Sequence, residues 1–434
     1  MQLPCPEFTA MGYWRNPQGR QQYDNVFFKK HCREQLSIYV DMVCELKNNN
    51  NTPLCYIGIQ GSPNCSIYWG KHKTNKYHTE SIVEDTSKKK ERIAHGSTSI
   101  TTSLLQYELD SNAGELEEYT SLENIITSYK LGLKALDELD EFIKEYGNKC
   151  KYEKKDTLLY TSKECEVKAM EEEYKIRKNA GIDVKFISKE DNSFSLDIKG
   201  GVYGVNGGAQ LDPYEYTHQL LEVSCNMGLQ VFENTEVMDI NYEQDSVEVT
   251  TSFGYKVRGK KVIIATGYNT ERFTKRNFGA KTVTYNIATK PVKNFDGWFN
   301  RVLIRDNCEP YNYFRTTADN RIIAGGEDVD FYTNIENEKL AKEKYTILLN
   351  RIKNMFPNIK DIEIDYEYCG GFISSQDNLG YIGEDPNHKN LWFCLGYGAN
   401  GILFAILGGM MLSKLYKNEI DENIKLFKVD RFDK

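Results

Sequence analysis

The sequence lacks the marks of several common function classes. Acidic residues, 63, outnumber the 55 basic ones for a net charge of −8, so no basic surface of the kind that tracks nucleic acid is expected. The lysine run Lys88–Lys90 is short and flanked by acids, which reads as a solvated face. The opening residues MQLPCPEFTAMGYW carry neither a basic stretch followed by an apolar one nor transit-peptide character, and a cytoplasmic address is the expectation. Eleven cysteines are scattered along the chain without a framework spacing, so reduced thiols are expected. No H-E-x-x-H metal site, no G-x-S-x-G nucleophile turn and no internal repeat occurs. The uncharged run of residues 391–413 is long enough to span a membrane but is cut in its middle by three glycines and Asn400, which argues against a span.

What the sequence does contain is one strand, one glycine turn and one helix written side by side. Leu391–Leu395 is a short apolar run that reads as a buried strand, Gly396, Gly398 and Gly401 break it, and Ile402 opens an apolar helix. A strand that ends in small residues lets a ligand lie against the backbone. The helix that follows offers unpaired N–H groups and the positive end of its dipole. A glycine-softened turn beside a buried helix is the plainer alternative. Val262–Gly267, VIIATG, reads as a buried parallel strand that ends in Ala265, Thr266 and Gly267, again with room for close approach. Around Gly96, the small hydroxyl residues Ser97, Thr98 and Ser99 suit either a flat or phosphorylated ligand or an ordinary helix cap. Leu122–Tyr146 is amphipathic, Asp212 and Pro213 start a helix that Gly228 stops, Asn337 caps another, and 282–330 is rich in strands.

Two resemblances divide the chain. QLPCPEF, RQQYDNVFFKKHCRE, GIQGSPNCS and YWGKHKTNKYHTE, within residues 1–80, resemble the family related to the thiouracil desulfidases. That resemblance implies an N-terminal α/β half-domain with Cys5 and Cys65 as two ligands of a four-iron, four-sulfur cluster that the family holds on three cysteines. No counterpart of the third stands ahead of Cys5, and two thiolates are too few, so an Fe–S cluster is not expected. Residues 81–90 are polar and unperiodic and read as a linker.

From residue 91 onward, RIAHGSTSITTSLLQYELD, AQLDPYEYTHQLLE, VFENTEVMDI, VIIATGYNT, NRIIAGGED, NLGYIGEDP and LWFCLGYGANGI resemble the flavin-dependent oxidoreductases of the D-amino-acid oxidase and glycine oxidase superfamily. The resemblance implies an α/β fold: a Rossmann-like FAD-binding domain (91–150, 205–270 and 365–434) and a mixed-sheet substrate domain (151–204 and 271–364). It implies FAD as cofactor and a small-molecule amine as substrate, oxidised by loss of hydride from the carbon beside the nitrogen. The residues it places at the cofactor are Arg92, Gly96, Ser97, Thr98, Ser99, Val237, Ala265, Thr266, Gly267, Gly371, Gly396, Gly398, Asn400, Gly401 and Ile402. A cofactor that carries the redox chemistry also fits the missing acid–base motifs.

Two departures from that family matter. Its members open with a strand, a G-x-G-x-x-G turn and a helix that bind the pyrophosphate. None of these stands just ahead of Arg92, where the desulfidase-like segment runs straight in and Lys89 falls near the position of the ribose-binding acid. The Rossmann-like domain is therefore expected to be incomplete, with neighbouring strand edges left unpaired. Charge-assisted hydrogen bonds are worth about 1.5–3 kcal/mol each. At about 1.4 kcal/mol per tenfold, losing several would weaken FAD binding by orders of magnitude, and a non-catalytic fusion product is the alternative. The second departure is Phe372, which stands where relatives that oxidise amino acids carry a carboxylate-pairing arginine. An amine is accordingly favoured over a free α-amino acid. Arg315 and Arg321 remain candidates for an acidic group, or else ordinary strand-surface charges.

Overall fold

The computed structural model describes residues 93–268, 270–307, 310–331, 337–398, 400–419 and 421–433. The desulfidase-like segment with Cys5 and Cys65, the linker, and Arg92 lie outside the described residues. The chain divides into two compact units, residues 1–84 with 224–232, and residues 85–223 with 233–434. In the first, the described part is a helix end and a turn closed by the Leu229 N–H on the Ser224 carbonyl at 3.0 Å. The candidate site lies wholly in the second.

That unit begins with β1 (Leu104–Gln106), a one-turn helix α1 (Ala113–Leu116) and the long helix α2 (Leu122–Tyr146). Ser121 caps α2 by accepting from the Asn124 N–H, and Gly147 ends it at a φ of 88°. Next come β2 (Glu153–Thr161), α3 (Val167–Asn179), β3 (Val184–Ser188), β4 (Gly200–Gln210) and α4 (Pro213–Asn226). Asp212 caps α4 as its sequence suggests, accepting from the N–H groups of Tyr214 and Glu215 at 3.1 Å. The chain continues through β5 (Val237–Tyr242), β6 (Val247–Thr251), β7 (Lys256–Gly259), β8 (Val262–Ile264), β9 (Ala280–Thr289), β10 (Leu303–Asp306), β11 (Asn312–Thr316) and β12 (Ile322–Asp330). It closes with α5 (Glu338–Met355), β13 (Ile364–Ser374), β14 (Tyr381–Glu384), β15 (Leu391–Leu395) and α6 (Gly401–Tyr416). Strand β8 is shorter than the VIIATG pattern suggests and stops three residues before Gly267.

Nine strands form one mixed sheet in the order β1-β4-β2-β10-β11-β12-β9-β13, with β3 also on β4. Only the β2–β10 pair in it is parallel. One face of this sheet buries Ile287, Ile304, Phe314 and Ala324 with Leu348 and Ile352 of α5. Because side chains alternate along a strand, Asn286, Arg305, Tyr313 and Gly325 face the other way. A second core joins α2 and α6 through Leu136, Leu139, Leu403 and Leu407. The smaller sheet β14-β15-β8 carries a parallel β15–β8 pair, and Phe393 of β15 and Ile264 of β8 share a third core. Among the described residues β8 has one neighbour strand, so its other edge carries none. Also among them, no helix is long and apolar enough to cross a membrane, and Cys150, Cys165, Cys225, Cys369 and Cys394 are free thiols.

Candidate active site

Four segments distant in sequence meet at one cavity of about 770 Å³. Ser97 and Thr98 line it from the first turn, Ala265 and Gly267 from the end of β8, Gly371 and Phe372 from β13, and Gly396, Gly398, Asn400, Gly401 and Ile402 from the last turn and helix. Ser99 and Arg315 instead line a smaller hollow of about 400 Å³ that shares Thr98, Thr101 and Pro213 with the first. Gly96, Thr266, Val237 and Arg321 line neither. Gly96 shapes the first turn, its carbonyl accepting from the Ser99 N–H at 3.1 Å. Val237 pairs with Thr251 in the small β5-β6-β7 sheet. Arg321 is instead paired with Asp319 and Asp365.

The last turn is built by close backbone approach. A Cβ on Gly396 would lie 2.5 Å from the Gly401 carbonyl oxygen, so only glycine lets the strand double back onto the helix start. Gly398, at a φ of 74°, donates its N–H to the Ile373 carbonyl at 2.7 Å. Asn400 donates Nδ2 to the Glu108 carbonyl at 2.6 Å, and the Tyr397 hydroxyl donates to the Gly267 carbonyl at 3.1 Å. The α6 N-terminus thus opens on the cavity with its first amides free of helical partners. Gly396, Gly398 and Gly401 also fall at G-x-G-x-x-G spacing between a strand and a helix.

The opposite wall is the large sheet. Arg305, Tyr313, Gly325, Asn286 and Tyr368 stand in register across β10, β11, β12, β9 and β13, a polar row on one face. A Cβ on Gly325 would lie 2.2 Å from Asn286 Oδ1 and 2.4 Å from the Tyr313 ring, so glycine at the centre lets those two meet. The Tyr313 hydroxyl then donates to Asn286 Oδ1 at 3.2 Å and lies 3.0 Å from Thr284 Oγ1. Burial pushes the Tyr368 phenol up to about 12, with the Arg315 charge opposing, and drives Tyr311 and Tyr313 further up. All three are neutral phenols at physiological pH.

Both arginines of this wall are buried, which overturns the surface reading of Arg315. Arg315 donates Nε to the Thr102 carbonyl and Nη1 to the Thr316 carbonyl, and burial lowers its guanidinium to about 10. Arg305, absent from the sequence reading, lines the larger cavity and donates Nη1 to the Asp110 carbonyl. No local pattern marks it: Leu303–Asp306 reads LIRD, and Arg305 stands on the same side of the strand as the apolar Leu303.

A buried ionic network holds the segment between Arg305 and α6. Arg177 lies 2.8 Å from Glu173 and 3.4 Å from Glu108, and donates to the Tyr107 hydroxyl at 3.2 Å. Burial raises the Glu173 carboxyl, but Arg177 and the Ala113 N–H outweigh it and hold the group below its usual value.

A family model described as FAD dependent oxidoreductase matches residues 88–415. The chain is 24% identical over 312 residues to the probable oxidoreductase OrdL of Haemophilus influenzae, covering 69% of each. It is 24% identical over 248 residues to glycine oxidase of Bacillus subtilis, covering 55% of this chain and 63% of that one. Its fold overlays L-proline dehydrogenase from P. horikoshii with a TM-score of 0.64 at 18% identity, over 78% of this chain and 88% of that one. The chain belongs to the FAD-dependent oxidoreductase family.

Proposed function

We propose that the protein binds FAD in the larger cavity and oxidises the carbon beside the amine nitrogen of a small substrate. The observation that carries this reading is the meeting, on one cavity, of the α6 N-terminus and its glycine turn with a polar row on the facing sheet. The residues present fit the flavin end of the cofactor. Gly398 leaves the surface open where a Cβ would stand against Asp110, and the free amides of Gly401 and Ile402 favour an electron-rich ring edge. Ser97 and Thr98 would hold the chain that leads away from the ring. When bound, FAD accepts the hydride. Tyr313 and Asn286, locked together across Gly325, orient the polar end of the substrate, while Phe372, Ile100 and Leu104 exclude water. By name, glycine oxidase acts on glycine and L-proline dehydrogenase on L-proline, which supports a substrate whose reacting carbon bears nitrogen. In this reading 91–150, 205–270 and 365–434 serve the cofactor, 151–204 and 271–364 serve the substrate, and the address is cytoplasmic.

A second reading, loss of catalysis in a chain whose first strand–turn–helix unit is replaced by the desulfidase-like segment, rests on the single neighbour that β8 has among the described residues. One experiment separates the two. The full chain is purified, incubated with FAD, freed of excess and examined for flavin absorbance, then mixed anaerobically with a panel of amines and amino acids. Retained flavin that one of them bleaches supports the oxidoreductase. A chain that takes up no flavin supports the second reading.

A further inference from the structure

We propose that Arg305 anchors a carboxylate of the substrate, from a different strand than the one where Phe372 has displaced an arginine. The proposal rests on the oxidoreductase reading of the same cavity and names its substrate class: amino acids, with primary or secondary amines, over simple amines.

Arg305 is 4% exposed and lines the cavity from β10, on the face shared with Tyr313 and Asn286. Its Nη1 is engaged by the Asp110 carbonyl, while its Nε and Nη2 are buried without a hydrogen-bond partner. Those two nitrogens carry the parallel N–H pair on the side edge of the guanidinium, the pair that takes both oxygens of one carboxylate. Among the described residues no acidic side chain forms an ion pair with Arg305. Arg177, the other deeply buried arginine of this region, has Glu173 and Glu108. A buried guanidinium with no counter-charge is costly unless an anion joins it. The engaged Nη1 fixes the plane of the group, so the free edge is held in place before a ligand arrives.

The placement explains how Phe372 and an anionic substrate coexist. β10 and β13 are four strands apart in the sheet, with β11, β12 and β9 between them. A carboxylate at Arg305 stands apart from Phe372, which lies on β13 four residues beyond Tyr368 of the polar row and lines the same cavity as an apolar wall. Tyr313, in direct register with Arg305, supplies a neutral phenol beside the carboxylate site. Arg315 does not compete, because Nε and Nη1 are engaged by carbonyls and it lines the smaller hollow.

The test uses the full chain incubated with FAD and two kinds of probe. Benzoate, which cannot be oxidised at an amine, is titrated calorimetrically against its neutral counterpart benzyl alcohol. Matched pairs (glycine and methylamine, proline and pyrrolidine, phenylalanine and phenethylamine) are compared by the rate of anaerobic flavin bleaching. The wild type is expected to bind benzoate and not benzyl alcohol, and to prefer the amino acid of any pair it oxidises. Arg305→Met is expected to lose about 100-fold in benzoate affinity, the worth of a desolvated bidentate pair. Arg305→Lys recovers part of it, and Arg321→Met at the surface changes nothing. Equal benzoate affinity in a normally melting Arg305→Met overturns the proposal, as does a wild type that prefers amines or binds benzyl alcohol as well as benzoate. The wild-type comparisons decide the matter if Arg305→Met fails to fold. Benzoate binding that needs Arg305 in a chain that no amine or amino acid bleaches would sink the oxidoreductase reading and leave the anchor standing.

Discussion

The Tyr397 hydroxyl donates to the Gly267 carbonyl at 3.1 Å, and this bond ties the end of β8 to the glycine turn before α6. The two stretches lie 130 residues apart in sequence and both line the cavity. Tyr397 is wholly buried, so its ring position is fixed by packing against Phe278 and Tyr381 as well. Tyr397→Phe keeps that packing and removes the hydroxyl, with its bonds to the Gly267 carbonyl and the Thr270 side chain. We expect a loss of about 1 kcal/mol in stability, read as a small drop in melting temperature, and a larger weakening of FAD binding because the two halves of the cradle are no longer coupled. FAD titration of the variant checks it; unchanged affinity would show that the packing alone sets the cradle.

Gly325→Ala tests the polar row. The added methyl would stand 2.2 Å from Asn286 Oδ1, and the sheet on either side leaves it no place to go. We expect a cost of about 1–3 kcal/mol from overpacking, together with loss of the Tyr313–Asn286 bond. Turnover should fall more steeply than stability, since the phenol is displaced from the cavity wall. Steady-state rates and urea unfolding on the same preparation separate the two effects.

How much of this was legible in the chain follows from how local each signal is. The strand, turn and helix over Leu391–Tyr416 and the caps at Asp212 and Asn337 are written within a few residues, and the structure shows them where the pattern puts them. The joining of Ser97, Gly267, Gly371 and Gly401 on one cavity was legible only through the family resemblance, because no local pattern links them. Arg305 was not legible. Its four-residue strand is inserted beside β2 through the pairing of Ile304 with Leu158, and the face it shows depends on that long-range register. Burial of Arg315 was missed for the same reason: a charged residue in a strand reads as exposed until both neighbouring strands are known.

Acid should act on Glu173. Its carboxyl lies below the usual value of 4.5 in the folded chain, with Arg177 and the Ala113 N–H prevailing over burial. A depressed carboxyl contributes stability above the unfolded value, and that contribution is lost as pH falls through the folded one. Melting temperature should therefore decline as pH drops below about 4.5. Glu173→Gln should be less stable at pH 7, since it leaves Arg177 with Glu108 alone, and should show a flatter acid limb. Parallel acid limbs for the two proteins would mean that other carboxylates set the decline.

Asn400 offers the sharpest test of where the flavin ring sits. Its Nδ2 donates to the buried Glu108 carbonyl, so both Asn400→Ala and Asn400→Asp remove that bond and should cost about 1–2 kcal/mol of stability. They differ in charge. An aspartate at the N-terminus of α6 suits the helix dipole, which offsets part of its cost to folding. The same carboxylate would stand beside the amides of Gly401 and Ile402 and repel an electron-rich ring edge. Stability and cofactor affinity should consequently move in opposite order: Asn400→Asp melts no lower than Asn400→Ala but binds FAD more weakly, by about tenfold or more. Melting curves and FAD titrations on the two variants give both orders directly. If the aspartate and alanine variants bind FAD equally, the electron-rich edge of the ring is not at the α6 N-terminus.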